Sequence, residues 1–444
     1  MAKLLMSYEI LPLPSRQVNY WTIENNNMNT FPQTRPIESL PDGFRPLEGK
    51  RVVDFTKILA GPLCTQYLAD LGADVVKVEP LHGDDTRGWP PFESGVGAIF
   101  TAVNRNKRGI ALDLKKPAGL SVAEALVREA DIVVESFGPG VADRLGIGWE
   151  RLSAINPRIV YANISGYGTR GPMNEGKGYD LIAQAFTGML SLTGEPGGPP
   201  ARSPFSPIDQ ATGYHAVIGI LGSLMQRDRT GHGHRIEVSL FDSAVGFLGY
   251  FLQNYWVRGT EPERPGSGHE SLVPYQAFPT ADAPIILGIA NDGFWRLFCD
   301  LVERPDLAAD PRFATNGERV LHRAVLVPIV TQILAGRTRA IWLEALGARD
   351  IPCSPVHTLG ELSAHPQTEA SDMILRDGDF RTVATPLRAD GERPALRLRP
   401  PLLGEHSRAV LAELGYNDDT IKALIADSIL GTPHWANTDI GREP

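Results

Sequence analysis

From Leu47 onward, short β-branched runs alternate with segments in which apolar residues recur at helical spacing. Arg51–Phe55, Asp74–Val78, Gly109–Leu114, Asp131–Glu135 and Arg158–Ile164 read as strands, with Cys64–Leu71 and Ala118–Ala130 as helices between them. Strands separated by helices predict an α/β fold with a doubly wound parallel sheet, because parallel neighbours need long crossover connections. Such sheets bind ligands beyond the carboxyl ends of their strands. Further on, Ala211, Tyr214, Val217, Ile218, Leu221, Leu224 and Met225 mark a helix that starts near Asp209. A strand at Arg235–Ser239 and a long helix at about Asp242–Arg258 come next.

The same pattern divides the chain. Residues 1–46 have no sustained periodicity and read as an irregular N-terminal extension, fitting neither a secretory signal nor an Arg-rich presequence. Residues 47–258 form the large α/β domain, and 259–272 a Pro- and Gly-rich linker or loop. Residues 273–370 make a smaller mixed domain, with a strand at Pro284–Ile289 and helices at Phe294–Leu301 and Arg319–Leu334. Residues 371–444 return toward the large domain, with helical patterns at Ser407–Leu414 and Asp418–Leu430.

Composition narrows the function. At 444 residues, 42% hydrophobic and 21% charged, the chain has the make-up of a soluble multi-domain protein. Its net charge of −9 argues against general nucleic-acid binding, so an anionic ligand needs local basic groups. Cys64, Cys299 and Cys353 lack metal or redox spacing, which suits a reducing cytoplasm. No apolar run reaches membrane-spanning length, and no membrane partner is expected.

Three local features carry chemistry. Asp209 sits at or near a helix N-terminus, where free N–H groups and the helix dipole favour an ionised carboxylate that can cap the helix or attack a carbonyl. Arg105, Lys107 and Arg108 form a compact basic cluster before a strand, and Arg144 follows a Gly-rich turn; both suit a phosphorylated ligand. Gly166-Tyr167-Gly168-Thr169-Arg170-Gly171 matches a dinucleotide fingerprint but follows a late strand and precedes Pro172, so no redox cofactor is expected. His232-x-His234 sits in a Gly-rich turn and no metal is expected there.

Several ordered blocks resemble one family. They include Asp54-Phe55-Thr56 with Ala60-Gly61-Pro62, Leu68–Pro80, Gly83–Arg87, Asn104–Arg108, Glu135–Gly140, Gly178–Ala185, His269–Tyr275, Ile351–Val356 and Pro401–His406. Together they resemble the class III coenzyme A transferases of CaiB/BaiF type, from about Leu47 to Leu430. The resemblance implies an aspartyl nucleophile at Asp209, acyl-CoA and a carboxylic acid as substrates, and an interlocked homodimer. It places CoA contacts on Leu59-Ala60, Leu112-Asp113-Leu114-Lys115, Ser136-Phe137-Gly138, Arg144 and Lys177-Gly178-Tyr179-Asp180. A glycine loop over the acyl group falls on Gly266-Ser267-Gly268, shorter here than in some members, and Leu59 replaces a glutamine that some members carry. The related α-methylacyl-CoA racemases have a histidine where this chain has Tyr179, which favours transfer over racemisation because phenol is a poor proton shuttle at neutral pH. An acyl-CoA-binding protein without catalysis is the remaining alternative.

Overall fold

A computed structural model describes residues 43–433; most of the irregular extension lies outside the described residues. Seven strands form the main sheet: β1 (Arg51–Phe55), β2 (Asp74–Glu79), β3 (Lys107–Leu112), β4 (Ile132–Glu135), β5 (Val160–Ser165), β6 (Arg235–Ser239) and β7 (Leu430–Gly431). Their order is β7-β3-β2-β1-β4-β5-β6, all parallel except the antiparallel edge strand β7. The expected parallel α/β sheet is therefore present.

Consecutive β-branched residues point to opposite faces, and both faces are covered. Val53, Val76, Ile110 and Val133 pack under helix α2 (Pro117–Arg128) and the C-terminal Val410, Leu411 and Leu424. Val52, Val75, Ile132, Val134 and Val160 pack against helices α1 (Ala60–Asp70) and α4 (Pro207–Thr230). Double coverage is why these strands read as near-continuous apolar runs. Helix α3 (Asp180–Phe186) precedes α4, and α5 (Leu240–Arg258) follows β6 directly.

A second apolar core surrounds an antiparallel sheet of Tyr275–Phe278, Ile285–Gly288 and Cys353–Pro355, with Trp295, Phe298, Phe313 and Leu334 at its centre. The expected helix at Arg319–Leu334 is two helices, Asn316–Leu321 and Arg323–Leu334, which break at His322. The pattern expected as helix over Asp418–Leu430 stops at Ala426; Ser428 turns the chain with φ 52° and Leu430 joins the sheet.

The third strand begins two residues before its expected start. Lys107 is fully buried inside β3, a position that hydrophobic patterning assigns to an apolar residue. Its Nζ donates to Asp54 Oδ2 at 3.1 Å, the Pro62 carbonyl at 2.9 Å and Asn104 Oδ1 at 2.7 Å. Those partners offset the desolvation cost of burying an ammonium.

Candidate active site

The sheet order reverses between β1 and β4, whose connections leave in opposite directions and open a crevice at the carboxyl ends. A cavity of about 280 Å³ lies there, walled by residues 57–61 after β1, 136–139 after β4, 164–166 at the end of β5, 176–179, Asp209 and Leu240. A second cavity of about 470 Å³ adjoins it, sharing Lys57 and Phe137, and is lined by residues 78–85 and 112–115 with Val141 and Leu145. Together they make an elongated groove across strands β3, β2, β1, β4 and β5.

Short local bonds shape its walls. The buried Glu135 carboxylate accepts the Phe137 N–H at 2.8 Å, and Ser136 Oγ accepts the Lys57 N–H at 3.0 Å, tying the turns after β1 and β4 together. Asp54 accepts the Thr56 N–H at 2.8 Å. Gly166 and Gly178 lie back to back: a Cβ on Gly178 would come within 2.3 Å of the Gly166 Cα. The glycine-rich run after β5 thus serves a backbone crossing at the cavity wall, a use its resemblance to a nucleotide fingerprint does not suggest.

Asp209 is the third residue of α4 and half-buried in the cavity wall. It does not cap the helix. Ser206, the N-cap, makes no side-chain bond, and the buried Asp180 supplies the acceptor: its Oδ2 takes the Ile208 N–H at 2.8 Å and the Asp209 N–H at 3.1 Å. The Asp180 carboxylate also accepts from Gln184 Nε2. Burial, with a smaller contribution from the Asp180 charge, pushes the Asp209 carboxyl up to about 7. The helix terminus therefore does not hold Asp209 fully ionised, as its position in sequence suggests; desolvation outweighs the dipole.

Of the other residues singled out by sequence, Leu59, Ala60, Ser136, Phe137, Gly138, Lys177, Gly178 and Tyr179 share the cavity with Asp209. Leu112, Asp113, Leu114 and Lys115 line the adjoining one. Arg144 is exposed on the short helix Val141–Arg144, whose first residue lines that second cavity, and forms no ion pair among the described residues. Asp180 is internal and positions Asp209 rather than facing the cavity.

Two expectations are corrected. Arg105 and Lys107 spend their charge inside the protein and Arg108 spends its charge in partly exposed ion pairs, so none of the three is placed to hold phosphate. Arg105 pairs with Asp70 at 2.6 Å, Lys107 with Asp54, and Arg108 with Asp74 and Glu413, each at 2.7 Å. They stand at the amino end of β3, while the groove opens at the carboxyl end. Gly266, Ser267 and Gly268 do not line the Asp209 cavity either; Ser267 lines a separate one with Glu195 and Arg264, and the Gly266 N–H is bonded to the Gly194 carbonyl at 3.0 Å. Sequence reading also passed over Ile58, Ser165 and Gly176, which line the cavity through their place in turns that no side-chain pattern announces.

The CoA-transferase family III profile matches residues 47–407. The chain is 39% identical over 393 residues to a succinate–glutarate CoA-transferase of Agrobacterium fabrum, covering 85% of this chain and 98% of that one. It is 37% identical over 397 residues to a succinyl-CoA:glutarate CoA-transferase of Mus musculus, covering 88% and 91%. A CaiB/BaiF family protein from Brucella suis superposes with a TM-score of 0.77 at 39% identity, over 83% of this chain and 99% of that one. The matched region contains both walls of the groove and Asp209, and on these grounds the chain belongs to CoA-transferase family III and is a CoA-transferase.

Proposed function

We propose that this chain moves coenzyme A from succinyl-CoA to a second short dicarboxylic acid through a covalent intermediate on Asp209. The observation that carries the reading is a carboxylate facing a cavity at the sheet's switch point, with its capping duty taken over by Asp180. The acids named for the two glutarate-using relatives suggest the substrate class.

The steps balance without a net proton. The Asp209 carboxylate adds to the thioester carbonyl; the C–S bond breaks, giving a mixed anhydride and CoA thiolate. The thiolate adds to the aspartyl carbonyl; the C–O bond breaks, releasing succinate and leaving an aspartyl-CoA thioester. The acceptor carboxylate then repeats the sequence in reverse, forming the new acyl-CoA and restoring Asp209. Each step exchanges one activated acyl bond for another, so the thioester's free energy is retained when water is kept out. The adjoining cavities suit a long ligand, with the acyl end beside Asp209 and the nucleotide end between residues 78–85 and 112–115. Lys115, which lines the second cavity, and Arg144, next in sequence to the lining residue Leu145, are both exposed and supply positive charge for phosphate.

The same reading makes the enzyme a cytoplasmic homodimer. Helices α3, α4 and α5 present Phe186, Ile218, Met225, Phe247, Trp256 and Val257 to solvent, with Met225 70% and Trp256 66% exposed. An apolar surface of that extent on three adjacent helices fits burial against a second copy.

Incubation with succinyl-CoA followed by hydroxylamine should convert Asp209 to its hydroxamate, detected by peptide mass spectrometry, and Asp209→Ala should abolish transfer to glutarate. A fully active Asp209→Ala enzyme would refute the mechanism.

A further inference from the structure

Ile58, in the turn between β1 and α1, has φ 71°. Among the described residues it is the one β-branched side chain at positive φ, where such residues rarely stand. Backbone held in a disfavoured region persists only where its surroundings over-determine it, and such places cluster at functional sites.

The surroundings are specific. The Ile58 N–H meets the Asp84 carboxylate, 3.2 Å from Oδ2 and 3.4 Å from Oδ1. Lys77 Nζ donates to the same Oδ2 at 3.3 Å and to the Thr56 carbonyl at 2.8 Å, so one ammonium holds both a carbonyl at the end of β1 and the carboxylate. Asp84 Oδ1 is steadied by the Thr86 N–H at 3.0 Å and hydroxyl at 2.8 Å. The Lys77 and Asp84 side chains are 0% and 1% exposed. Asp84 does not line the cavity that holds Asp209 but belongs to the wall of the adjoining one.

The turn sets the start of α1. Ala60 and Gly61 open that helix and line the cavity with Asp209, and their N–H groups have no hydrogen-bond partner among the described residues. The Ala60 carbonyl lies tight against Gly213, one helical turn beyond Asp209; a Cβ there would sit 2.8 Å from it. The start of α1 is therefore packed closely against the first turns of α4. Free N–H groups on residues that line the same cavity as the attacking carboxylate are the kind of donor that steadies the oxyanion formed when it adds to a thioester.

We infer that Asp84 is a positioning residue for acyl transfer: paired with Lys77, it pins the left-handed Ile58 turn and so places the Ala60 and Gly61 N–H groups against the oxygen that develops charge during attack by Asp209. The inference rests on Asp209 being the nucleophile.

The test measures kcat and KM for succinyl-CoA to glutarate transfer and CoA binding by calorimetry, in the full-length enzyme. Asp84→Asn should lower kcat about tenfold or more, and by a larger factor than it raises the CoA dissociation constant, because an oxyanion donor acts on the transition state. Adding Ile58→Gly should shrink the effect of Asp84→Asn to about threefold or less, since glycine holds the left-handed turn without being pinned. Ile58→Pro, which removes the donor and forbids positive φ, should lower kcat well below that of Ile58→Gly. If Asp84→Asn does not fold, the Ile58→Pro against Ile58→Gly comparison decides, because both leave the Lys77–Asp84 pair intact. A folded Asp84→Asn enzyme with wild-type kcat, an undiminished effect in the Ile58→Gly background, or Ile58→Pro as active as Ile58→Gly overturns the inference. Failure of the nucleophile assignment is separately visible as full activity in Asp209→Ala.

Discussion

Asp180 accepts the backbone N–H of Asp209 at 3.1 Å, so one carboxylate caps the helix while the other, three residues into that helix, faces the cavity. The arrangement divides two demands that a single aspartate could not meet together. A capping carboxylate is held and neutralised by N–H donors, which makes it a poor nucleophile. Asp209 is left half-buried and lightly solvated, with the Asp180 charge nearby pushing its carboxyl upward.

Activity should therefore follow the ionisation of Asp209. Its carboxyl titrates at about 7, so kcat/KM for acyl-CoA should rise through neutral pH to a plateau above it. A profile already flat from pH 5 upward would show a nucleophile fully ionised throughout, against the effect of burial.

The same carboxyl costs stability. Its folded value, about 7, exceeds the ordinary 3.8, so the folded state binds the extra proton between those limits. The cost thus grows as pH rises through that window and is complete above it. It is on the order of 2–4 kcal/mol, the lower end allowing for partial solvent access. Asp209→Asn should raise Tm, and by more at pH 8 than at pH 5, in differential scanning calorimetry. An equal gain at both would exclude linkage to this group.

Replacing Asp180 should lower two observables together. Asp180→Ala removes the acceptor for Ile208 and Asp209, at a cost of about 1–2 kcal/mol in denaturant unfolding. It also removes a negative charge from beside Asp209, so the midpoint of the pH–activity profile should fall. A lower stability with an unmoved midpoint would reduce Asp180 to a cap alone.

The basic residues should separate by depth. Lys107→Ala strands Asp54 in the core and should destabilise the fold by about 3–5 kcal/mol. Arg144→Ala should leave Tm in place, raise KM for acyl-CoA more than KM for the acid, and weaken the salt dependence of acyl-CoA binding. Unchanged KM and salt dependence would remove Arg144 from the phosphate site.

Tyr179 lines the cavity and is 55% exposed, with a phenol where racemases carry a basic ring. A branched acyl-CoA incubated in deuterated water should show no rapid α-carbon exchange by mass spectrometry. Rapid exchange that is lost in Asp209→Ala would establish proton transfer instead.

Sequence alone determined the parallel sheet, because β-branched runs such as Val52-Val53, Val75-Val76 and Ile132-Val133-Val134 alternate with helical patterns, and a strand buried on both faces is written as a near-continuous apolar run. It also determined Asp209 as the reactive candidate, through its place before a long apolar helix and its family motif. Tertiary structure decided where charge goes. Arg105, Lys107 and Asp180 look free in a linear chain, yet their partners Asp70, Asp54 and the Ile208 N–H lie 35, 53 and 28 residues away. Whether a basic or acidic side chain meets solvent, a ligand or a buried counter-charge depends on those distant contacts, and local pattern carries no record of them. The left-handed turn at Ile58 is the extreme case: no propensity of isoleucine predicts it, and Asp84 and Lys77, from a distant part of the chain, hold it.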